Sequence, residues 1–267
     1  MADSSPDRAN DDKLSDDKGQ LSPFSLTEFF THYLKVQSSS KGQQSPLNAA
    51  EIMEHAAPSM VRFDTYLLGI IPYTSGSGFF VASDTDHLHS CEIATASHVN
   101  DSAKSAWVTT HDGTVHQAIL EKSDKAHGLD IYQLQGVEHP DKDCNALTLA
   151  SSEPRVAEPV IAIGAAGEKN IFGFGGATAK EPKFHVGNAV GMLKRDAIEI
   201  TFEEGEDMAR PIVMTIPDIA ANGYSGGPLL DNGGKVKGVT TAGNGKLSYQ
   251  ESLEFLRSDL NSIHNDK

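Results

Sequence analysis

From Met60 onward the chain is divided into short apolar runs separated by Gly, Asn and Asp. Met60-Val61-Arg62-Phe63, Gly78-Phe79-Phe80-Val81, Glu92-Ile93-Ala94-Thr95, Ala106-Trp107-Val108-Thr109 and Ile131-Tyr132-Gln133-Leu134 are the first of them. Val160-Ile161-Ala162-Ile163, Ile198-Glu199-Ile200-Thr201-Phe202 and Ile212-Val213-Met214 follow. They are rich in β-branched and aromatic residues, and no helical pattern intervenes, so they predict the strands of a sandwich or barrel. Two segments keep a helical period instead. Asn48 with Glu51 three residues on reads as a capping box opening a short helix through His55, which Pro58 ends. At the other end Leu253, Leu256, Leu260 and Ile263 fall on one face and predict a C-terminal helix over the end of a barrel. There is no internal repeat.

Before Asn48 the texture differs. Residues 1 to about 22 carry Asp3, Asp7, Asp11, Asp12, Asp16 and Asp17 among few apolar side chains, the composition of a disordered tail. Phe24, Leu26, Phe29, Phe30, Tyr33 and Leu34 then form a helix-like stripe, a segment to dock on the main body or a neighbouring subunit. Ser38 to Pro46 is a polar linker. The expected division is therefore a tail, docking helix and linker over 1–46 and one folded domain over 47–267.

The 267 residues carry a formal net charge of −15. Such a chain repels phosphate backbones, which argues against nucleic acid as a partner. The apolar run near Tyr66 to Ile71 is too short to enter a bilayer as a span. The first residues lack the basic start and apolar stretch of a signal peptide, so a cytoplasmic or otherwise intracellular location is expected. Cys91 and Cys144 match no zinc ribbon or redox pair, and their spacing leaves their pairing open. His87, His89 and Cys91 alternate as a zinc-binding strand does, but a polar hairpin turn accounts for them as well. No metal and no cofactor is expected. Gly173-Phe174-Gly175-Gly176 lacks the Lys-Ser/Thr that completes a phosphate loop.

The candidate chemistry lies in Gly223-Tyr224-Ser225-Gly226-Gly227-Pro228. Flanking glycines leave the hydroxyl of Ser225 unshielded, and backbone N–H groups of such a loop can converge beside it. A serine needs a base, and the base needs an acid to orient it. His98 follows a predicted strand directly, and Asp130 begins another. Asp124 competes with Asp130 for the orienting role, and Asp130 is preferred because the strand pattern starts right after it. The order His98, Asp130, Ser225 is one of the known chain orders of the Ser-His-Asp triad.

With these residues the chain resembles trypsin-fold serine proteases, and among them the HtrA (DegP-like) branch. Gly76-Ser77-Gly78-Phe79-Phe80-Val81 is similar to that branch's GSGF strand, Thr95-Ala96-Ser97-His98-Val99 to its TNAHV or TAAHV motif, Asp130-Ile131-Tyr132-Gln133-Leu134 to its D-[IL]-A-x-[IL] motif, and Gly223 to Pro228 to GNSGGP. Glu51 to Arg62 resembles its opening helix and entry strand. The resemblance spans roughly residues 48 to 265. It implies an all-β fold of two packed six-stranded β-barrels, with His98 and Asp130 from the first barrel, Ser225 from the second, and the N–H groups of Gly223 and Ser225 as the oxyanion hole.

It also implies a serine endopeptidase acting on polypeptides through an acyl-enzyme, with a place in protein quality control. The residue six before the nucleophile, Ile219, would form the base of the substrate pocket, with Ala220, Thr241 and Ala242 on its walls, which favours small or aliphatic residues before the cleaved bond. A homo-trimer through Phe24 to Val36 is implied as well. No Ile-Val-Gly-Gly start precedes the first strand, so activation by a buried new N-terminus is not expected, and no room follows the last helix for a PDZ domain. Tyr224 departs from the branch's Asn, and an exposed ring there would crowd the cleft. The segment from Gly187 to Pro217 is long, and its Glu203-Glu204-Gly205-Glu206-Asp207 reads as a solvated hairpin tip or an acidic exosite. Two other readings stand beside the protease: a catalytically inactive trypsin-fold binding module, and an esterase using the same triad.

Overall fold

The computed structural model describes residues 48–67, 71–82, 91–165, 183–194, 211–216, 223–243 and 248–265. The acidic tail, the Phe24–Val36 stripe, His87, His89, Ile198 to Asp207, Gly173 to Gly176, Ile219 and Ala220 lie outside them.

Helix α1, Ala49–Ala56, forms where the capping signal places it. Asn48 Oδ1 accepts from the N–H groups of Ala50 and Glu51 at 3.0 Å each, and Glu51 Oε2 accepts from the Asn48 N–H at 2.8 Å. The box supplies partners to backbone donors that a helix start leaves open. Ile52 and Ala56 face inward, and a 3₁₀ turn at Ala57–Ser59, with Pro58 inside it, hands the chain to the first strand.

The first barrel comprises β1 Met60–Leu67, β2 Ile71–Ala82, β3 Glu92–Ala96, β4 Ser105–Thr110, β5 Val115–Asp124 and β6 Leu129–Leu134. They run in the order β1-β4-β5-β6-β3-β2, and β1 pairs back onto β2, so the ring closes. Strand β7, Leu147–Thr148, adds in parallel at the end of β2. The second barrel closes in the order β10-β13-β12-β11-β8-β9, from β8 Pro159–Gly164, β9 Lys183–Lys194, β10 Pro211–Ile216, β11 Pro228–Leu230, β12 Val236–Gly243 and β13 Ser248–Ser252. Two six-stranded rings are what the family resemblance implies, where the run-and-turn pattern by itself predicts a sandwich or barrel.

The pleat divides the core. Successive side chains of a strand point to opposite faces. Phe80 and Tyr132 therefore fill the first barrel with Val61, Phe63 and Ile93. Their neighbours Phe79, Val81 and Ile131 point out of it, to meet Ile161, Ile163, Leu230 and Val239 from the second barrel. Burying each such side chain contributes about 1.5–3 kcal/mol, so the seam between the barrels is a stabilising core in its own right.

The C-terminal helix, Leu253–Asn265, buries Leu253, Leu256, Leu260 and Ile263, the four residues of the predicted face. It does not simply cover one barrel's end. It packs against β5 and β6 of the first barrel and β12 and β13 of the second, because its apolar face joins the seam. A short helix, Pro140–Asp143, ends at Cys144, which is bonded to Cys91 with the Cα atoms 5.2 Å apart. The bridge settles the pairing left open by the sequence, and it withdraws Cys91 as a metal ligand beside His87 and His89. No helix among the described residues is long and apolar enough to cross a membrane.

Candidate active site

The Gly223–Pro228 loop enters β11 with two glycines in the left-handed region, Gly223 at φ +88° and Gly226 at φ +84°. At Gly226 glycine is required twice over. A Cβ there would lie 2.1 Å from the Ser77 carbonyl oxygen and 2.2 Å from Thr95 Oγ1, inside any permitted contact. The loop is thus pressed onto β2 and β3 of the first barrel. The same Cβ would stand 3.0 Å from the Ala96 nitrogen, two residues before His98.

Hydrogen bonds fix the loop from both sides. The Ser77 N–H donates to the Ser225 carbonyl at 2.8 Å, and the Gly226 N–H donates to the Thr240 carbonyl at 2.7 Å. The Gly227 N–H donates back to the Tyr224 carbonyl at 2.8 Å. Among the described residues, the N–H groups of Gly223 and Ser225 meet no partner, while those of Gly226 and Gly227 are both used. The Ser225 hydroxyl donates to the Thr241 carbonyl at 3.1 Å, so its one proton is directed at β12.

Tyr224 does not stand in the cleft. It is 1% exposed and packs with Val160, Ala162 and Leu229 inside the second barrel. The expectation of an exposed ring fails because the loop turns this side chain inward, opposite in sense to Ser225. Burial pushes the Tyr224 hydroxyl up to about 12.

His98 lies in the 3₁₀ turn Ser97–Val99 directly after β3, with its ring exposed. Asp130 is the second residue of β6 and pairs with Thr95 of β3. The Ser97 N–H donates to the Gly128 carbonyl at 2.9 Å, which ties the His98 turn to the start of β6. His98, Asp130 and the Ser225 loop are therefore gathered at one end of the β2-β3-β6 ladder.

The Asp130 carboxylate is fully buried. Oδ1 accepts from Ser102 Oγ at 3.1 Å, and Ser123 Oγ donates to Ser102 Oγ at 3.0 Å. Oδ2 is buried with no hydrogen-bond partner among the described residues. Burial raises the Asp130 carboxyl above the ordinary carboxylate range, against the opposing pull of Ser123, Ser102 and Lys125. Asp124 is otherwise engaged, its Oδ2 lying 2.6 Å from His127 Nδ1, while the His127 ring stacks on Phe255 of the C-terminal helix.

Of the residues expected to line a substrate pocket, Thr241 and Ala242 sit on β12, the Thr241 carbonyl accepting from Ser225, with Thr241 Oγ1 donating to the buried Glu251 at 3.1 Å. No cluster of His, Cys, Asp and Glu among the described residues is arranged to hold a metal. Sequence reasoning missed Ser77, Thr95 and Ser102, which surround the loop and Asp130. The one available signal was Ser77 itself, a polar residue between two glycines just before the apolar run Phe79-Phe80-Val81.

The family model for the trypsin-like peptidase domain matches residues 76–239. A comparison with curated proteins found no matching sequence. Among solved structures, the chain resembles the inactive form of the Rv3671c protease, with a TM-score of 0.58 and 17% identity over 84% of this chain and 99% of that one. A serine-to-alanine mutant of Rv3671c from M. tuberculosis H37Rv, also an inactive form, gives 0.57 and 18% over 83% and 96%. The serine endoprotease from Yersinia pestis gives 0.59 and 18% over 84% and 69%. At such identities these likenesses carry the fold.

Proposed function

The chain belongs to the trypsin-like peptidase family and is a serine-type hydrolase, and from that premise we propose that Ser225, His98 and Asp130 are the catalytic triad of an endopeptidase. The observation that carries this reading is the contact of the Gly226 position with Ser77, Thr95 and Ala96. It seats the Ser225 loop against the strand that leads to His98 and pairs with Asp130. The HtrA-like branch is the reading its motifs support.

The chemistry follows from the residues. Ser225 Oγ attacks the scissile carbonyl as His98 takes its proton. The buried Asp130 Oδ2, without a partner of its own among the described residues, accepts from the imidazole and stabilises its positive charge. The N–H groups of Gly223 and Ser225 receive the oxyanion. His98 returns the proton to the leaving amine, and water repeats the sequence on the acyl-enzyme. For the attack, the Ser225 hydroxyl must leave the Thr241 carbonyl to which it now donates and turn to His98.

Unfolded polypeptides are the substrate class, cleaved after small or aliphatic residues if Ile219 and Ala220 complete the pocket begun by Thr241 and Ala242. Assembly through Phe24 to Val36 belongs to the same proposal. The Cys91–Cys144 bridge favours an oxidising compartment over the cytoplasm, where such bridges are rare. Digestion of casein tests the function. Wild type should cleave it and S225A should not. Equal cleavage by both would place the nucleophile elsewhere.

A further inference from the structure

Ser77 uses every polar group it has, and all of them at the junction of the two barrels. Its side chain is fully buried. Its hydroxyl donates to the Gly223 carbonyl at 2.6 Å and accepts from the Ala165 N–H at 2.8 Å. Its amide donates to the Ser225 carbonyl at 2.8 Å. Its carbonyl accepts from Thr95 Oγ1 at 2.7 Å.

Two of these partners, the carbonyls of Gly223 and Ser225, flank Tyr224. The peptide between Tyr224 and Ser225, which carries the Ser225 N–H, is therefore enclosed by two peptides that Ser77 holds. A donor that stabilises an oxyanion acts only if it is aimed before the charge develops. We propose that Ser77 is a positioning residue of the reaction: its hydroxyl clamps the nucleophile loop of the second barrel to the first, and so aims the oxyanion donors of Gly223 and Ser225. This rests on the reading of Ser225 as the nucleophile.

The residue type fits the task. Only a hydroxyl of this size both donates to Gly223 and accepts from Ala165. Alanine leaves the part-buried Gly223 carbonyl and the buried Ala165 N–H without this partner. Threonine would need room for a methyl group where none is exposed. The clamp touches no substrate, so its loss should appear in the transition state and leave the binding of the ground state alone.

The test is a kinetic comparison of wild type, S77A and S225A on one peptide substrate, with the affinity of a matching peptide trifluoromethyl ketone as the second readout. S77A should lower kcat about 10- to 100-fold, less than removal of an oxyanion donor itself, with KM changed less than about twofold. Its affinity for the ketone should fall in parallel. Wild-type kcat in folded S77A, or a rise in KM alone, would overturn the proposal. If thermal melting shows S77A unfolded, S77C, which is slightly larger and a weaker donor, is read by the same criteria. S225A separates the two levels of argument. If it retains turnover, the triad reading fails and the clamp falls with it. If S225A is dead and S77A is fully active, only the clamp fails.

Discussion

Tyr224 and Gly164 interlock. A Cβ on Gly164 would lie 2.7 Å from Cγ and Cδ2 of the Tyr224 ring, so the glycine is the flat floor on which the ring beside Ser225 rests. The neighbour of Ser225 is thus a core residue of the second barrel and anchors the loop from below.

Tyr224→Ala should therefore cost stability in the way a large-to-small core change does, about 3–5 kcal/mol in chemical denaturation. Tyr224→Phe keeps the ring and should hold kcat/KM within about twofold, since the hydroxyl faces no substrate. Gly164→Ala should destabilise by about 1–3 kcal/mol through overpacking. A gain in activity for Tyr224→Ala would restore the picture of a ring obstructing the cleft.

The Cys91–Cys144 bridge joins positions 53 residues apart. Closing a loop of that length removes chain entropy from the unfolded state worth about 4 kcal/mol in the loop-closure model. Full reduction, or the C91A/C144A pair, should lower stability by about 2–4 kcal/mol. Activity at low temperature should survive, because neither cysteine touches the Ser225 loop. Identical melting temperatures with and without reductant would contradict the bridge.

Asp259 faces inward from the C-terminal helix with only 4% of its surface exposed. Burial first, then the carboxylates of Asp124 and Asp130, raise it from 3.8 to about 6, against Lys122 and His127. The folded protein then binds this proton more tightly than the unfolded chain. The stability it lends is complete below about pH 4 and is lost as pH rises through about 6, a difference of up to about 3 kcal/mol by pH 8. Asp259→Asn should flatten this slope, so the stability difference between variant and wild type should grow in the variant's favour from pH 4 to pH 8. A difference constant across that range would contradict it.

Asp130 is predicted to act through His98. Asp130→Asn keeps the size and the strand pairing but offers an amide where the imidazole N–H needs an acceptor, and should lower kcat by on the order of 10³–10⁴-fold. Asp124→Asn should leave kcat within about threefold, since Asp124 is engaged with His127 in the β5–β6 turn. The reverse ranking would transfer the orienting role to Asp124.

What the sequence discloses here is what local patterns control. The capping box at Asn48 and Glu51 and the face of Leu253, Leu256, Leu260 and Ile263 are local, and both helices form where the pattern puts them. The strands around Phe79, Ile93 and Ile131 are legible because each is bounded by turns and apolar on both faces, one toward its own barrel and one toward the seam. Strand β5 is harder to read, because from Val115 to Asp124 only Ala118 is fully buried and a bulge interrupts its pairing after Leu120. The direction of Tyr224 depends on the left-handed turns at Gly223 and Gly226, which spacing does not encode. The cysteine pairing depends on a tertiary distance. Ser77 was visible as part of a motif, but its bonds to Gly223 and Ala165 join residues far apart in the chain, and no local pattern announces them.

Ser225 is proposed to be a nucleophile activated by His98. Labelling with a fluorophosphonate probe, followed by mass spectrometry of the modified peptide, tests it most directly. Wild type should carry the label on the peptide containing Ser225, S225A should carry none, and His98→Ala should label at least about 100-fold more slowly. A folded wild-type protein that takes no label, or labelling that persists in S225A, would contradict the account.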